Sequence, residues 1–106
     1  MNNLTFNEYQ NFCQGVRLPT ATAEYCVLNL PGEVGELCSL LAKAIRDGRK
    51  ADHDQNVKKE LGDALWSIAT IALDNGFTLQ DIADGNVYKL SKRKQENTLQ
   101  GSGDNR

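Results

Sequence analysis

The sequence predicts an all-α fold, four helices with short connections packed as a bundle. Apolar residues recur at intervals of three and four along four stretches. Each stretch opens on a capping residue or closes where glycine ends a helix. No run alternates apolar with polar residues as a half-buried strand requires. A chain of 106 residues supports one core. Residues 1–96 are expected to form a single helical domain and 97–106 a polar, glycine-rich tail.

Thr5-Phe6-Asn7-Glu8 matches a capping box, and Phe6, Tyr9, Phe12, Cys13 and Val16 follow at helical spacing, giving a first helix that ends near Arg17. Leu18-Pro19-Thr20 breaks it. A second helical stretch runs from about Thr22 to Asp47, where Gly48 supplies the stop. Pro31 interrupts that stretch. An interior proline loses a backbone hydrogen bond and clashes with the preceding turn, so a kink or a fresh helix start is expected just before Gly32-Glu33. Asp54 is a good N-cap for a third helix, running to Asp74 and closed by Asn75-Gly76. Thr78-Leu79-Gln80-Asp81 caps a fourth, running to about Gln95.

Composition is that of an ordinary soluble domain, and a formal net charge of −2 gives no global attraction to nucleic acid or an anionic membrane. Specific nucleic-acid binding is not expected. Cys13, Cys26 and Cys38 are odd in number and lack CxxC spacing, which fits reduced thiols filling a core. MNNLTFNEYQ has neither a basic n-region nor an apolar h-region, and no run of about 18 apolar residues occurs. A soluble cytoplasmic protein with no membrane association is the expectation.

The anomaly is acidic. With about 100° per residue, Leu40, Ala44, Leu37, Leu41, Val34, Ile45 and Cys38 share one arc of the second helix. Glu33 sits inside that arc and Glu36 at its edge. Burying a carboxylate uncompensated costs several kcal/mol or forces protonation. The third helix repeats the pattern in ELGDALW, residues 60 to 66, where Glu60 and Asp63 share a narrow polar strip with Ser67 and Thr70. More than half of its circumference is apolar, from Val57 to Leu73, so it must be covered on two sides, by its own core and by another subunit.

Two helices that each present carboxylates at i and i+3 can converge four oxygen donors on one hard divalent cation, Mg²⁺ or Mn²⁺. Carboxylate di-iron bundles need Glu-x-x-His as well. The one histidine, His53, falls in a predicted loop and reads as a surface residue. On the fourth helix Asn86, Lys89 and Arg93 extend the inward stripe of Leu79, Ile82, Ala83 and Leu90. Lys89 and Arg93 lie one turn apart, a spacing that can hold two oxygens of a polyphosphate, with Asn86 adding an amide.

GEVGEL at 32 to 37, ELGDALW at 60 to 66, NVYKLSKR at 86 to 93 and GSGDNR at 101 to 106 together resemble the MazG-like, all-α nucleoside triphosphate pyrophosphohydrolases. The resemblance implies a helical bundle that forms homodimers or homotetramers. It also implies Mg²⁺-dependent hydrolysis of nucleotides between the α- and β-phosphates, giving monophosphate and pyrophosphate in a house-cleaning or pool-controlling role. Glu33, Glu36, Glu60 and Asp63 match the family's metal ligands, and Lys89 and Arg93 its phosphate-binding pair. Asn86 matches a substrate-contacting asparagine.

One carboxylate would act as base, and Phe6, Tyr9, Phe12 and Trp66 are candidates to hold the nucleobase. Phosphoribosyl-ATP pyrophosphohydrolase is the alternative enzyme. A non-catalytic helical interaction module is the alternative of another class. The tail resembles a family ending, and its glycines and Arg106 are expected to fold over bound triphosphate.

Overall fold

The computed structural model describes residues 3 to 105. It contains helices α1 (Phe6–Gly15), α2 (Ala23–Asp47), α3 (His53–Asp74) and α4 (Leu79–Gln95), with no strand among the described residues. Caps set the boundaries. Thr5 and Glu8 form the reciprocal capping box of α1, while the Thr22 and Thr78 hydroxyls accept from the Tyr25 and Asp81 amides. Gly48 and Gly76 leave α2 and α3 at φ 87° and 77°, a backbone region that a side chain disfavours.

Pro31 does not restart the helix. α2 continues through it, so Glu33 lies in a helix interior, where the dipole of an N-terminus offers it nothing. The bond lost at Pro31 is the one to the carbonyl of Val27. Both residues are exposed, on a face where a carbonyl freed of its helix partner is cheapest to accommodate.

α2 and α3 form the principal contact of the molecule, an antiparallel hairpin. The seam runs through the shielded residues Cys26, Leu30, Glu33, Leu37, Leu40 and Ala44 of α2 and His53, Val57, Glu60, Ala64, Ser67 and Ile71 of α3. Both series step alternately by four and three, the spacing of a coiled-coil seam. The seam is narrower than the predicted apolar arc, leaving Val34, Cys38, Leu41 and Ile45 exposed, Ile45 at 89%.

His53 closes the seam instead of sitting in a loop, and is only 6% exposed. It starts α3 one residue before the predicted cap, so Asp54 lies in the first turn, paired with Arg49 at 3.0 Å. Of the cysteines, Cys13 and Cys26 are buried as expected but Cys38 is exposed.

On the other face of α3, Cys13, Ala69, Ala72 and Leu79 make a small core with Tyr9 and Trp66 against it. Gln10 fastens this region: Nε2 donates to the Ala69 and Phe77 carbonyls at 3.2 and 3.0 Å, and Oε1 accepts from the Leu79 amide at 3.1 Å. Arg17 clamps the α1–α2 connection to the end of α3 through two 2.8 Å bonds to Asp74.

The fold leaves much apolar surface uncovered. Its accessible area is 8159 Å², against about 5,900 Å² for a compact monomer of this mass. The radius of gyration is 16.6 Å, against about 13 Å. α4 packs chiefly on α1, and an open groove of about 450 Å³ between α3 and α4 is lined by Phe6, Leu65, Ile68, Ile82, Asn86 and Lys89 among others. Leu61, Leu65 and Ile68 are exposed, whereas Ser67 and Thr70 of the predicted polar strip are buried. No helix among the described residues is long and apolar enough to cross a membrane.

Candidate functional site

Glu33 and Glu60 both fall on the seam, one on each of two antiparallel helices, and their carboxylates approach each other across it. Glu36, one turn beyond Glu33, projects from the edge of the seam. One carboxylate oxygen from each of these three residues lies within 4.8 Å of the others. Glu33 and Glu60 are half-buried, and Glu36 is exposed.

The polar accounting here is incomplete in one direction. Asn29 donates to Glu33 Oε1 at 3.2 Å, yet Glu33 Oε2 and Glu60 Oε2 are shut off from solvent and accept nothing. Buried carboxylate oxygens without donors call for a cation. The Glu60 carboxyl is pushed above its ordinary range, first by burial, then by the Glu36 carboxyl with which it can share a proton, then by the charges of Glu36, Asp63 and Glu33. A divalent ion at this point would reverse that shift.

Asp63 stands apart from the other three. It is exposed and lies outside the group of close carboxylates. Its charge still reaches Glu60, and it adds to the rise of the Tyr9 hydroxyl above the phenol range, which burial and the bond to Cys13 dominate. The spacing of the sequence thus converges three of its four expected carboxylates and leaves the fourth alongside.

The α4 residues divide differently. Asn86 and Lys89 line the groove whose far wall is α3, the helix of Glu60 and Asp63. Arg93 is buried, and its partners belong to the tail: Nη2 donates to the Asp104 carbonyl at 2.9 Å and to Asp104 Oδ1 at 3.4 Å. Lys89 Nζ pairs with the same Oδ1 at 3.3 Å. Neither cation pairs with the four acidic residues, and Arg106 lies outside the described residues.

Asn29 lies outside the motifs, and Asp104 lies within GSGDNR, but that motif assigns it no role. Asn29 precedes Glu33 by four residues on the same helix face, a spacing that identifies it as a donor. Asp104 is the one acidic side chain among the described residues of the tail, and its position against Lys89 and Arg93 was not readable from local spacing.

The model of the MazG nucleotide pyrophosphohydrolase domain matches residues 21–98, which include the four acidic residues and the polar residues of α4. The Gene 37 protein of Mycobacterium phage L5 is 35% identical over 85 residues, covering 77% of this chain and 75% of its own length. No solved structure matches the chain. The match runs through both acidic helices and α4 and takes in most of the sequence, so the chain belongs to the MazG nucleotide pyrophosphohydrolase family.

Proposed function

We propose that this protein hydrolyses nucleoside or deoxynucleoside triphosphates to the monophosphate and pyrophosphate with Mg²⁺, or Mn²⁺, as cofactor. The observation that carries this reading is the pair of donorless oxygens on Glu33 and Glu60, facing one another beside Glu36. An all-oxygen, anionic donor set suits a hard divalent ion. Glu33, Glu36 and Glu60 would hold it, with Asp63 completing the set. When bound, Mg²⁺ would supply Lewis acidity toward the phosphate oxygens and lower the pKa of water.

The chain's own residues do the rest. One carboxylate of the group takes the proton of the attacking water as the bond between the α-phosphorus and the bridging oxygen breaks. Lys89 and Arg93 receive the charge that develops on the departing pyrophosphate, and the Asn86 amide orients it. Phe6, on the wall of the α3–α4 groove, is the aromatic placed to meet the base. Tyr9 and Trp66 are partly buried and pack against the core.

Self-association belongs to the same reading. An exposed area far above that of a compact monomer, with Leu61, Leu65 and Ile68 uncovered, supports a homodimer or homotetramer that closes over the α3 face. A house-cleaning or pool-controlling role follows from such an activity.

The test is a panel of canonical and damaged nucleoside triphosphates, with phosphoribosyl-ATP included, scored with Mg²⁺ for monophosphate and pyrophosphate. Glu36→Gln is the control. Release from at least one triphosphate, lost in the variant, is expected. A folded protein that releases nothing and gains no thermal stability from Mg²⁺ would overturn the reading in favour of a non-catalytic module.

A further inference from the structure

The tail occupies the phosphate-binding candidates. Arg93 is 5% exposed, yet its contacts are poor for so buried a cation. Nη2 reaches the Gly103 and Asp104 carbonyls at 3.5 and 2.9 Å and Asp104 Oδ1 at 3.4 Å. Nε is shut off from solvent and donates to nothing. Lys89 approaches the same Oδ1 at 3.3 Å. A single carboxylate oxygen therefore bridges two cations one turn apart, at distances well beyond the about 2.8 Å of a strong charge-assisted bond.

The carboxylate itself is loosely held. The Asp104 side chain is 82% exposed, so its ion pairs are screened and contribute little. Beside it a cavity of about 270 Å³ is lined by Tyr88, Lys89, Lys92, Arg93, Asp104 and Asn105, three cations to one carboxylate. A phosphate group carries more charge and three acceptor oxygens, enough to reach Lys89, the Arg93 fork and the unused Nε together. A plain surface staple accounts for the ion pairs but not for a buried donor left without an acceptor.

We propose that Asp104 is an internal stand-in for a phosphate group: in the free protein the tail carboxylate occupies Lys89 and Arg93, and the polyphosphate of substrate or product displaces it. The inference rests on the assignment of Lys89 and Arg93 to phosphate. Whatever the tail contributes to the occupied state is subtracted from phosphate affinity, so neutralising Asp104 strengthens binding.

The experiment titrates the full chain with inorganic pyrophosphate in Mg²⁺, by calorimetry, for wild type, Asp104→Asn, Lys89→Met and Glu96→Gln. Glu96 caps α4 one turn from Arg93 and controls for a general charge effect. Asp104→Asn is expected to bind roughly two- to fivefold more tightly, the range of an exposed ion pair. Glu96→Gln should match wild type, and Lys89→Met should bind more weakly. Amide exchange over residues 99 to 105 should quicken when pyrophosphate binds.

Equal binding by wild type and Lys89→Met, or none by either, overturns the phosphate assignment and the displacement with it. Weakened binding in Lys89→Met with no gain in Asp104→Asn, or an equal gain in Glu96→Gln, overturns the displacement alone. Slower or unchanged exchange in the tail does the same, slower exchange marking a clasp that closes over phosphate.

Discussion

Glu33 of α2 and Glu60 of α3 confront one another across the hairpin seam, each with a carboxylate oxygen that no donor reaches. Without a cation this is a local cost to the fold, and removing one charge relieves it. Glu60→Gln is therefore expected to melt at the same temperature as wild type or higher in EDTA, to lose its response to Mg²⁺, and to lose more than about a hundredfold in hydrolysis. Thermal melts with and without Mg²⁺, beside a pyrophosphate-release assay, check all three. A drop of several degrees in EDTA would mark Glu60 as structural.

The Arg17–Asp74 clamp is a second test, because its side chains are only 10% and 22% exposed. The Arg17 guanidinium holds the Asp74 carboxyl below its ordinary 3.8. A depressed folded value stabilises the protein above the unfolded pKa, and that stability is lost as pH falls below 3.8 through the folded value. Asp74→Asn should cost about 1–3 kcal/mol at neutral pH. Urea titrations should show the gap to wild type closing as pH drops from about 5 toward 3. A gap constant across that range would refute the assignment.

Gln10 joins α1 to α3, to the α3–α4 connection and to the start of α4, its one buried amide donating to the Ala69 and Phe77 carbonyls and accepting from the Leu79 amide. Gln10→Ala strands the Phe77 carbonyl and the Leu79 amide and removes the added bond at the Ala69 carbonyl, and is expected to destabilise by about 2–4 kcal/mol. Denaturant unfolding measures it. Loss of less than about 1 kcal/mol would mean that water replaces the amide.

Ile68→Glu and Leu61→Glu place charge on the exposed face of α3 without touching the Cys13–Ala69–Ala72–Leu79 core. Sedimentation should show wild type as a dimer or tetramer at micromolar concentration and the variants shifted toward monomer, with helical content retained. A wild-type monomer of full activity would contradict self-association through this face.

Local sequence determined much of this protein. Thr5, Thr22 and Thr78 mark three helix starts, and Gly48 and Gly76 two exits, because capping and positive φ are decided within a few residues. The three-residue spacing of Glu33 with Glu36 and of Glu60 with Asp63 likewise pointed to a carboxylate group, three members of which the hairpin brings together.

Tertiary structure decided the rest. Whether α2 survives Pro31 depends on whether the freed Val27 carbonyl meets solvent, and whether His53 is buried depends on where the seam ends across from α2. Only the folded chain leaves Asp63 outside the close carboxylates and lays Asp104 across Lys89 and Arg93, 15 and 11 residues away. Helical periodicity fixes which residues share a face of one helix, but the neighbour that each face meets is set by the packing of the whole chain.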